Sequence, residues 1–457
     1  LTFVRRGGLV SSLVSLGLNS HNCRFERCVF ADSLYANPAS VPPTMRIASL
    51  LNSGFSDNMR VTECTFFGGV IGVNLVGQAA DHRAYGDRVE RSLFRMQNNT
   101  AVRTQFLSNV TVKGNEMYDV TGNASYVLLV YACYDTVDVM ANKIYTSHGA
   151  GAIGISDVHG SASRHAYIAN NMIVCNDDGT ANQLTSPLNY IQGEWVDVVY
   201  NSVKHTAPDR YSIAAATFGG GTGISNSRFL NNIVATFDQV NYAFNYIPSA
   251  SNTNTIGNNI YYSEGYTLNR RSPGGTYSTL TAWQNAVPAD SLSQSFDPGY
   301  LNGSLVDLRT FNRMVKGVGT PIAGVTTDMF DTVRNATAPC PGAFEFVSLL
   351  YDFEVEALVS PTDDCNMPAS TEMVVRLRNN GVNNFTPGGS VPLSLGYSVN
   401  DGAPQTFAVT IPMPGDDTVT YSTGRMLTLP AGVTNDSVYS VKVWIICAND
   451  PNQTNDT

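Results

Sequence analysis

His148 and Asp177 each lie six positions past an asparagine that recurs through the chain, and Asp178, Lys204, His205, Asp209 and Arg210 fall in the segments beside them. A histidine next to a carboxylate can serve as a general base, and a nearby lysine or arginine can neutralise an acidic sugar. This set therefore holds the parts needed to abstract a proton from a uronate, whereas a glycosidase would need two carboxylates at a fixed separation. The plainer reading is a group of solvated turn residues on loops of unequal length. A second group, Asp135, Arg164 and Glu194, sits seven positions before the asparagines, with Trp195 next to Glu194 and Tyr131 and Tyr134 close to Asp135. Alternating charges on neighbouring strands would form an ion-pair ladder. An aromatic ring beside such groups can dock a sugar, so Asp135, Arg164, Glu194 and Trp195 are the candidate binding residues. A third group, Arg24, Arg60 and Arg88, would place like charges in line, with Glu26, Glu63 and Glu90 near enough to neutralise them.

The elements that position these groups follow from a repeat. Cys28, Cys64, Ser92, Asn115, Asn142, Asn171, Asn201, Asn232 and Asn259 form one column, with gaps of 23 to 36 residues. Three positions earlier stand Phe25, Val61, Val89, Val112, Val139, Ile168, Val198, Phe229 and Ile256; two positions later stand Phe30, Phe66, Phe94, Met117, Ile144, Ile173, Val203, Val234 and Tyr261. All are apolar, while the residues four positions earlier are polar or amphipathic. That alternation puts the former inside and the latter outside a strand. A fixed-period repeat of short strands is the signature of a solenoid in which each strand pairs with its counterpart one coil away. Asn115, Asn142, Asn171, Asn201, Asn232 and Asn259 should then make an inward amide ladder, each side chain donating to the next. Cys28 and Cys64 would extend it as small buried thiols.

This V-x-x-N-x-[FIV] turn resembles that of the right-handed parallel β-helix family, the pectin-lyase-like fold shared by pectate lyases and many bacterial surface proteins. The resemblance implies about nine coils over residues 1–265. The N-T-D, G-H-G and R-I-K motifs of polygalacturonases and the pectate lyase arginine motif are absent, which weighs against catalysis. Beyond Tyr262, the elements Phe296-Asp297-Pro298-Gly299-Tyr300 and Pro341-Gly342-Ala343-Phe344-Glu345-Phe346 resemble the closing segment of secreted Bacteroidetes β-helix proteins. That segment, 266–346, should cover the open end of the stack. From 347 to 457 the pattern changes to longer alternating strands with an Asn400-Asp401-Gly402 hairpin signal, as in an antiparallel β-sandwich. It resembles the immunoglobulin-like adhesion-type modules of Bacteroidetes surface proteins, with V-S-P-x-x-x-C at Val359–Cys365 and V-K-V-W at Val441–Trp444. The resemblance makes Cys365 and Cys447 the disulfide candidate of that module.

Composition sets outer limits. The net charge of −10 argues against a nucleic-acid partner. No apolar run is long enough to span a membrane as a helix. Eight cysteines without CxxC spacing give no zinc site, and no cofactor is expected. The expectation is an all-β chain: a right-handed parallel β-helix followed by an immunoglobulin-like β-sandwich. It reads as a segment of a larger extracellular or cell-surface structural or adhesive protein, of the kind exported by type IX secretion. Its partners would be glycans or other surface proteins, with self-assembly or strand exchange through a sandwich that lacks its last strand. The alternative is a polysaccharide lyase or glycoside hydrolase acting on acidic polysaccharide.

Overall fold

The computed structural model describes residues 1–5, 12–17, 19–32, 48–53, 57–120, 126–147, 151–176, 186–207, 213–238, 241–249, 253–302, 306–310, 312–346, 349–362, 370–428 and 440–450. The chain divides into two compact units, Leu1–Phe346 and Val347–Thr457.

The first unit is a parallel β-helix whose coils each present three strand faces. On the first face Phe25, Val61, Val89, Val112, Val139, Ile168, Val198, Phe229 and Ile256 are successive register partners, so the column read from the sequence is a physical one. Each chain segment then turns a corner and enters the second face, an eleven-stranded parallel sheet among the described residues. There Phe3, Phe30, Phe66 and Phe94 stack ring on ring, with centroids 4.9, 4.5 and 4.8 Å apart. Each fully buried phenylalanine contributes roughly 1.5–3 kcal/mol of apolar transfer energy. The third face holds the Ala48–Ser53, Ile71–Val76, Gly151–His159, Leu188–Glu194 and Ala214–Ser225 strands, with Leu50, Val73, Val102, Leu128, Ile153 and Leu188 pointing in. The two other strands of this stretch, Thr100–Lys113 and Tyr126–Met140, run on through the bend into the first face.

The corner between the first and second faces carries the ladder. Asn171 donates its backbone N–H (3.1 Å) and side-chain amide (2.9 Å) to Asn201 Oδ1, and the amide also donates to Val139 O at 3.0 Å. The same arrangement recurs at Asn115, Asn142, Asn201 and Asn232. Toward the start of the chain the backbone N–H groups of Cys64 and Cys28 are accepted by Ser92 Oγ at 3.1 Å and Cys64 Sγ at 3.4 Å, and both cysteines are thiols. The residue before each ladder position is left-handed: Arg27, Glu63, Arg91, Gly114, Ala141, Asn170, Tyr200, Asn231 and Asn258 all have φ between 47° and 67°. One left-handed residue is what lets the chain turn sharply while the next side chain points inward.

Residues after 265 do two different things. The first part lies over the last coil. Strand Asn269–Arg271 adds to the third face, and the short helix Leu280–Ala286 presses Trp283 onto Phe244 and Tyr277. Asp290, buried, accepts from Trp283 Nε1 at 2.7 Å, Tyr261 OH at 2.9 Å and Ser293 Oγ. Ser293 Oγ in turn continues the ladder by accepting from Asn259 N at 2.9 Å. The second part, from about Phe296 to Phe346, leaves the end and runs back along the outside of the coils. Ile322 and Val325 cover outward-facing Ala169, Val199 and Leu230; Val306, Leu308 and Ala343 cover Met172 and Val174; Val315 and Cys340 cover Ile233 and Ile260. The expectation that 266–346 closes the end is thus corrected for this second part. Outward apolar side chains on the later coils require a cover, and the returning segment supplies it.

The second unit holds two three-stranded antiparallel sheets. One joins Phe353–Ser360, Ser370–Asn379 and Asp417–Thr428; the other has Ser394–Val399 between Gln405–Ala408 and Val441–Ile446. Their alternating apolar residues share one core that includes Phe353, Val375, Leu377, Leu395, Tyr421 and Ile445. Asn400 and Asp401, at φ 50° and 54°, are the central pair of a turn in the connection between Ser394–Val399 and Gln405–Ala408, closed by Gly402 N–H donating to Val399 O at 2.9 Å. Cys447 is buried in this core, and Cys365 lies outside the described residues.

Candidate functional site

Three of the residues singled out for acid–base chemistry, His148, Asp177 and Asp178, lie outside the described residues, as do Asp209 and Arg210. The remaining two do not form a site together. Lys204 and His205 are neighbours on Ser202–Thr206, and strand alternation sends them to opposite sides. Lys204 faces outward with Nζ 5.0 Å from the Phe237 ring centroid. His205 points inward between Cys175 and Thr236 and is 3% exposed, out of reach of a polymer at the surface.

The ladder of Asp135, Arg164 and Glu194 is also absent. An extra turn over 160–165, closed by the Ser161–Arg164 bridge, lengthens one coil, so a fixed count back from the asparagine selects residues that are not neighbours. The register instead stacks Tyr134, His159 and Glu194. Asp135 is exposed, and Arg164 forms a two-pronged contact with Asp138, at 2.8 and 2.9 Å.

What the corner between the third and first faces assembles is two histidine–carboxylate groups, one of which packs against Trp195. His159 has Nε2 2.9 Å from Asp157 Oδ1 and Nδ1 3.4 Å from Glu194 Oε1. With a carboxylate at each nitrogen, the ring is held in place. Its face stacks on Tyr134 at 4.9 Å, and the Arg83 guanidinium lies 3.4 Å from the centroid of the same tyrosine. Tyr134 OH donates to Asp157 Oδ2 at 3.1 Å; partial burial, and then the Asp157 charge, hold its pKa above the ordinary value. Gln192 Nε2 approaches Asp157 at 3.4 Å.

The second group is deeper. Asp197 is fully buried, accepts from Arg228 Nε at 2.6 Å and from Arg228 Nη2, and sits 2.8 Å from His165 Nδ1. The hydrogen bond from Arg228 to Asp197 raises the pKa of that guanidinium above its ordinary value. A carboxylate fixed in this way orients the imidazole. Trp195, left-handed at φ 54°, packs edge-on against His165 at 5.2 Å. Of the candidate binding residues, Glu194 and Trp195 therefore belong to this corner, and Arg164 borders it through its contact with His165 O at 2.7 Å.

The sequence reading missed Asp157, His159, His165, Asp197 and Arg228. Asp157 and His159 carry a signal that could have been used: two polar residues flanking the apolar Val158 in a strand share its outer surface. Among the described residues no group of three or more histidine, cysteine or acidic side chains is placed to hold a metal ion, and no helix is long and apolar enough to cross a membrane. The chain matches no protein-family model and no curated protein sequence.

Proposed function

We propose that this chain is an extracellular or cell-surface structural and adhesive protein whose β-helix is both a rigid spacer and a platform for a glycan. The observation that carries the reading is Trp195, braced by His165 at a corner where Glu194, His159, Asp157 and Gln192 supply hydrogen-bonding groups. A flat aromatic ring on the same corner as hydrogen-bonding groups can hold a sugar, one face of the sugar on the aromatic and its hydroxyls toward the polar side chains. The pectin-lyase-like assignment is supported by the ladder corner, and the immunoglobulin-like assignment of the second unit by its two antiparallel sheets. Secretion in the Bacteroidetes manner rests on the sequence resemblances alone. Binding of the whole chain to a glycan array tests the proposal. Trp195→Ala should weaken the retained glycan by about tenfold or more, the worth of one lost aromatic contact. Unchanged binding in that variant, or no binding by the parent chain, would discard it.

A second reading, a lyase or hydrolase acting on acidic polysaccharide, is favoured by one feature: His159 bridges Asp157 and Glu194 with the Tyr134 hydroxyl alongside. The base, the acid and a phenol able to protonate a leaving oxygen stand within one hydrogen-bonded group. Incubation with polyuronates decides between the two. Unsaturated or shortened products formed by the parent chain and lost in His159→Ala would make it an enzyme.

A further inference from the structure

The outward column of the first face treats its charges in two ways. In the later coils they are matched: Asp138 is held by Arg164, and Asp197 by Arg228 and His165. In the first three coils they are not. Arg24, Arg60 and Arg88 are direct register partners, and all three are exposed. Neighbouring strands are about 4.8 Å apart, and like charges placed directly opposite are destabilising. The carboxylates expected to relieve them are engaged elsewhere. Glu63 pairs with Arg27 at 2.8 Å and Arg91 at 3.4 Å, Glu26 reaches Arg27 at 3.7 Å, and Glu90 meets Arg88 only at 4.0 Å. Arg24 and Arg60 form no ion pair among the described residues. With Arg27, Arg91 and Lys113, this face and its corner carry six cations against the three carboxylates of Glu26, Glu63 and Glu90, on a chain whose net charge is −10.

We propose that Arg24, Arg60 and Arg88 bind a linear anionic glycan laid along the helix axis, with successive carboxylate or sulfate groups meeting successive coils. The spacing of one coil is close to the length of one sugar unit, so a polymer with one anion per sugar can stay in step with the row. Guanidinium groups suit this task because each offers a planar fork to a carboxylate or sulfate. A duplex nucleic acid fits poorly: the row is a single file, Glu26 and Glu90 flank it, and the rest of the chain repels a broad polyanion. The inference does not rest on the Trp195 corner, which lies on other coils.

The test uses the full chain and fluorescently labelled oligomers of polygalacturonate, of a sulfated glycan, and of neutral dextran, titrated at low and high salt. Binding of a carboxylated or sulfated oligomer, weakened by salt and absent for dextran, is expected, and the two anionic probes identify which group is preferred. Arg24→Ala/Arg60→Ala/Arg88→Ala should reduce affinity by about tenfold or more, and Arg376→Ala, at an exposed arginine of the second unit, should leave it unchanged. Because the row repels itself, Arg60→Ala should melt no lower than the parent. The proposal is overturned if the triple variant binds like the parent, if neither anionic glycan binds, if duplex DNA of equal charge binds as tightly, or if Arg60→Ala lowers the melting temperature.

Discussion

The coils up to about residue 120 and those from about residue 140 onward have the same interior and different exteriors. Inside, the column from Phe30 to Tyr261 is buried in both. Outside, the residues two before the ladder run Glu26, Thr62, Glu90 and Lys113 in the first stretch, then Met140, Ala169, Val199 and Leu230 in the second. The corner residues change in step. Arg27, Glu63 and Arg91 tie coil to coil by ion pairs. Asn170, Tyr200, Asn231 and Asn258 instead bond the returning segment, through Thr327 O at 2.8 Å, Thr320 O at 2.9 and 2.7 Å, and Val318 O at 2.8 Å. A repeat's inward residues specify the stack, whereas its outward residues specify what lies against it. The early coils are bare and charged, and the later ones are sheathed.

The sheath hangs on one buried ion pair, which offers the most forceful way to break this contrast. Arg334 Nη1 lies 3.1 Å from Glu345 Oε2, with side chains 3% and 7% exposed. Glu345 also accepts from Cys340 N and Asn335 N, while Arg334 donates to Asn170 Oδ1 and covers the Tyr200 ring. Burial pushes the Arg334 pKa down, and the charges of Tyr200, Glu345 and Asp328 oppose that shift. Glu345→Ala should cost about 3–5 kcal/mol, the penalty of stranding a buried charge. Urea unfolding would register the loss, and residues 296–346 should become the first segment cut by protease. Glu63→Ala, in an exposed pair of the bare coils, should leave the midpoint where it was. Equal effects from the two would erase the distinction between sheathed and bare.

The parts legible in advance were those with a strict period. Val139, Ile168 and Val198 could be placed because inward positions recur at the same distance from the asparagine in every coil. The Asn400-Asp401 turn was legible because only a few residues adopt its left-handed backbone readily. The corner site was obscured by the extra turn over 160–165, which moves His159 five places farther from its asparagine than Glu194 is from its own. His205 was misplaced for a different reason: counting on from inward Val203 by strand alternation would have put it in the core. The sheath was legible in kind, since Met140, Val199 and Leu230 are apolar at outward positions, but nothing local says which distant segment will cover them.

A buried acid also separates the two stretches, with an intermediate effect. In the returning segment Glu345 has an arginine; in the bare coils Asp87 has, among the described residues, only the Met59 N–H, at 2.9 Å, and Asp57 as a like-charged neighbour. Burial pushes the Asp87 carboxyl up to about 7, so in the folded chain it keeps its proton where an unfolded chain has released it. Its folded pKa is raised, so the neutral form's contribution is complete below the ordinary carboxylate range near pH 4 and is lost as pH rises through about 7. Stability should therefore fall by up to about 1.4 kcal/mol per pH unit across that window. Asp87→Asn keeps an acceptor for Met59 and should flatten much of the slope; Asp290, raised to about 6, accounts for part of the remainder. A parent chain equally stable at about pH 5 and about pH 8 would show that Asp87 is compensated by something other than a proton.

The smallest test sits at the seam. Ala141 occupies the left-handed corner position between the bare and sheathed coils, at φ 55°. Its bare-side neighbour in the column is Gly114, which takes φ 67° without strain, and its sheathed-side neighbour Asn170 offsets the strain by bonding Thr327 O and Arg334. Alanine has neither remedy: its Cβ crowds the backbone, and its side chain has nothing to donate. Ala141→Gly should therefore raise stability by about 1 kcal/mol, read as a higher urea midpoint with an unchanged slope. Ala141→Val should lower it by more, because branching at Cβ sharpens the same clash. The ranking of Gly above Ala above Val is the informative result. If valine matched alanine here, the left-handed corners would not be strained positions, and the asparagines at 170, 231 and 258 would owe their presence to the sheath alone.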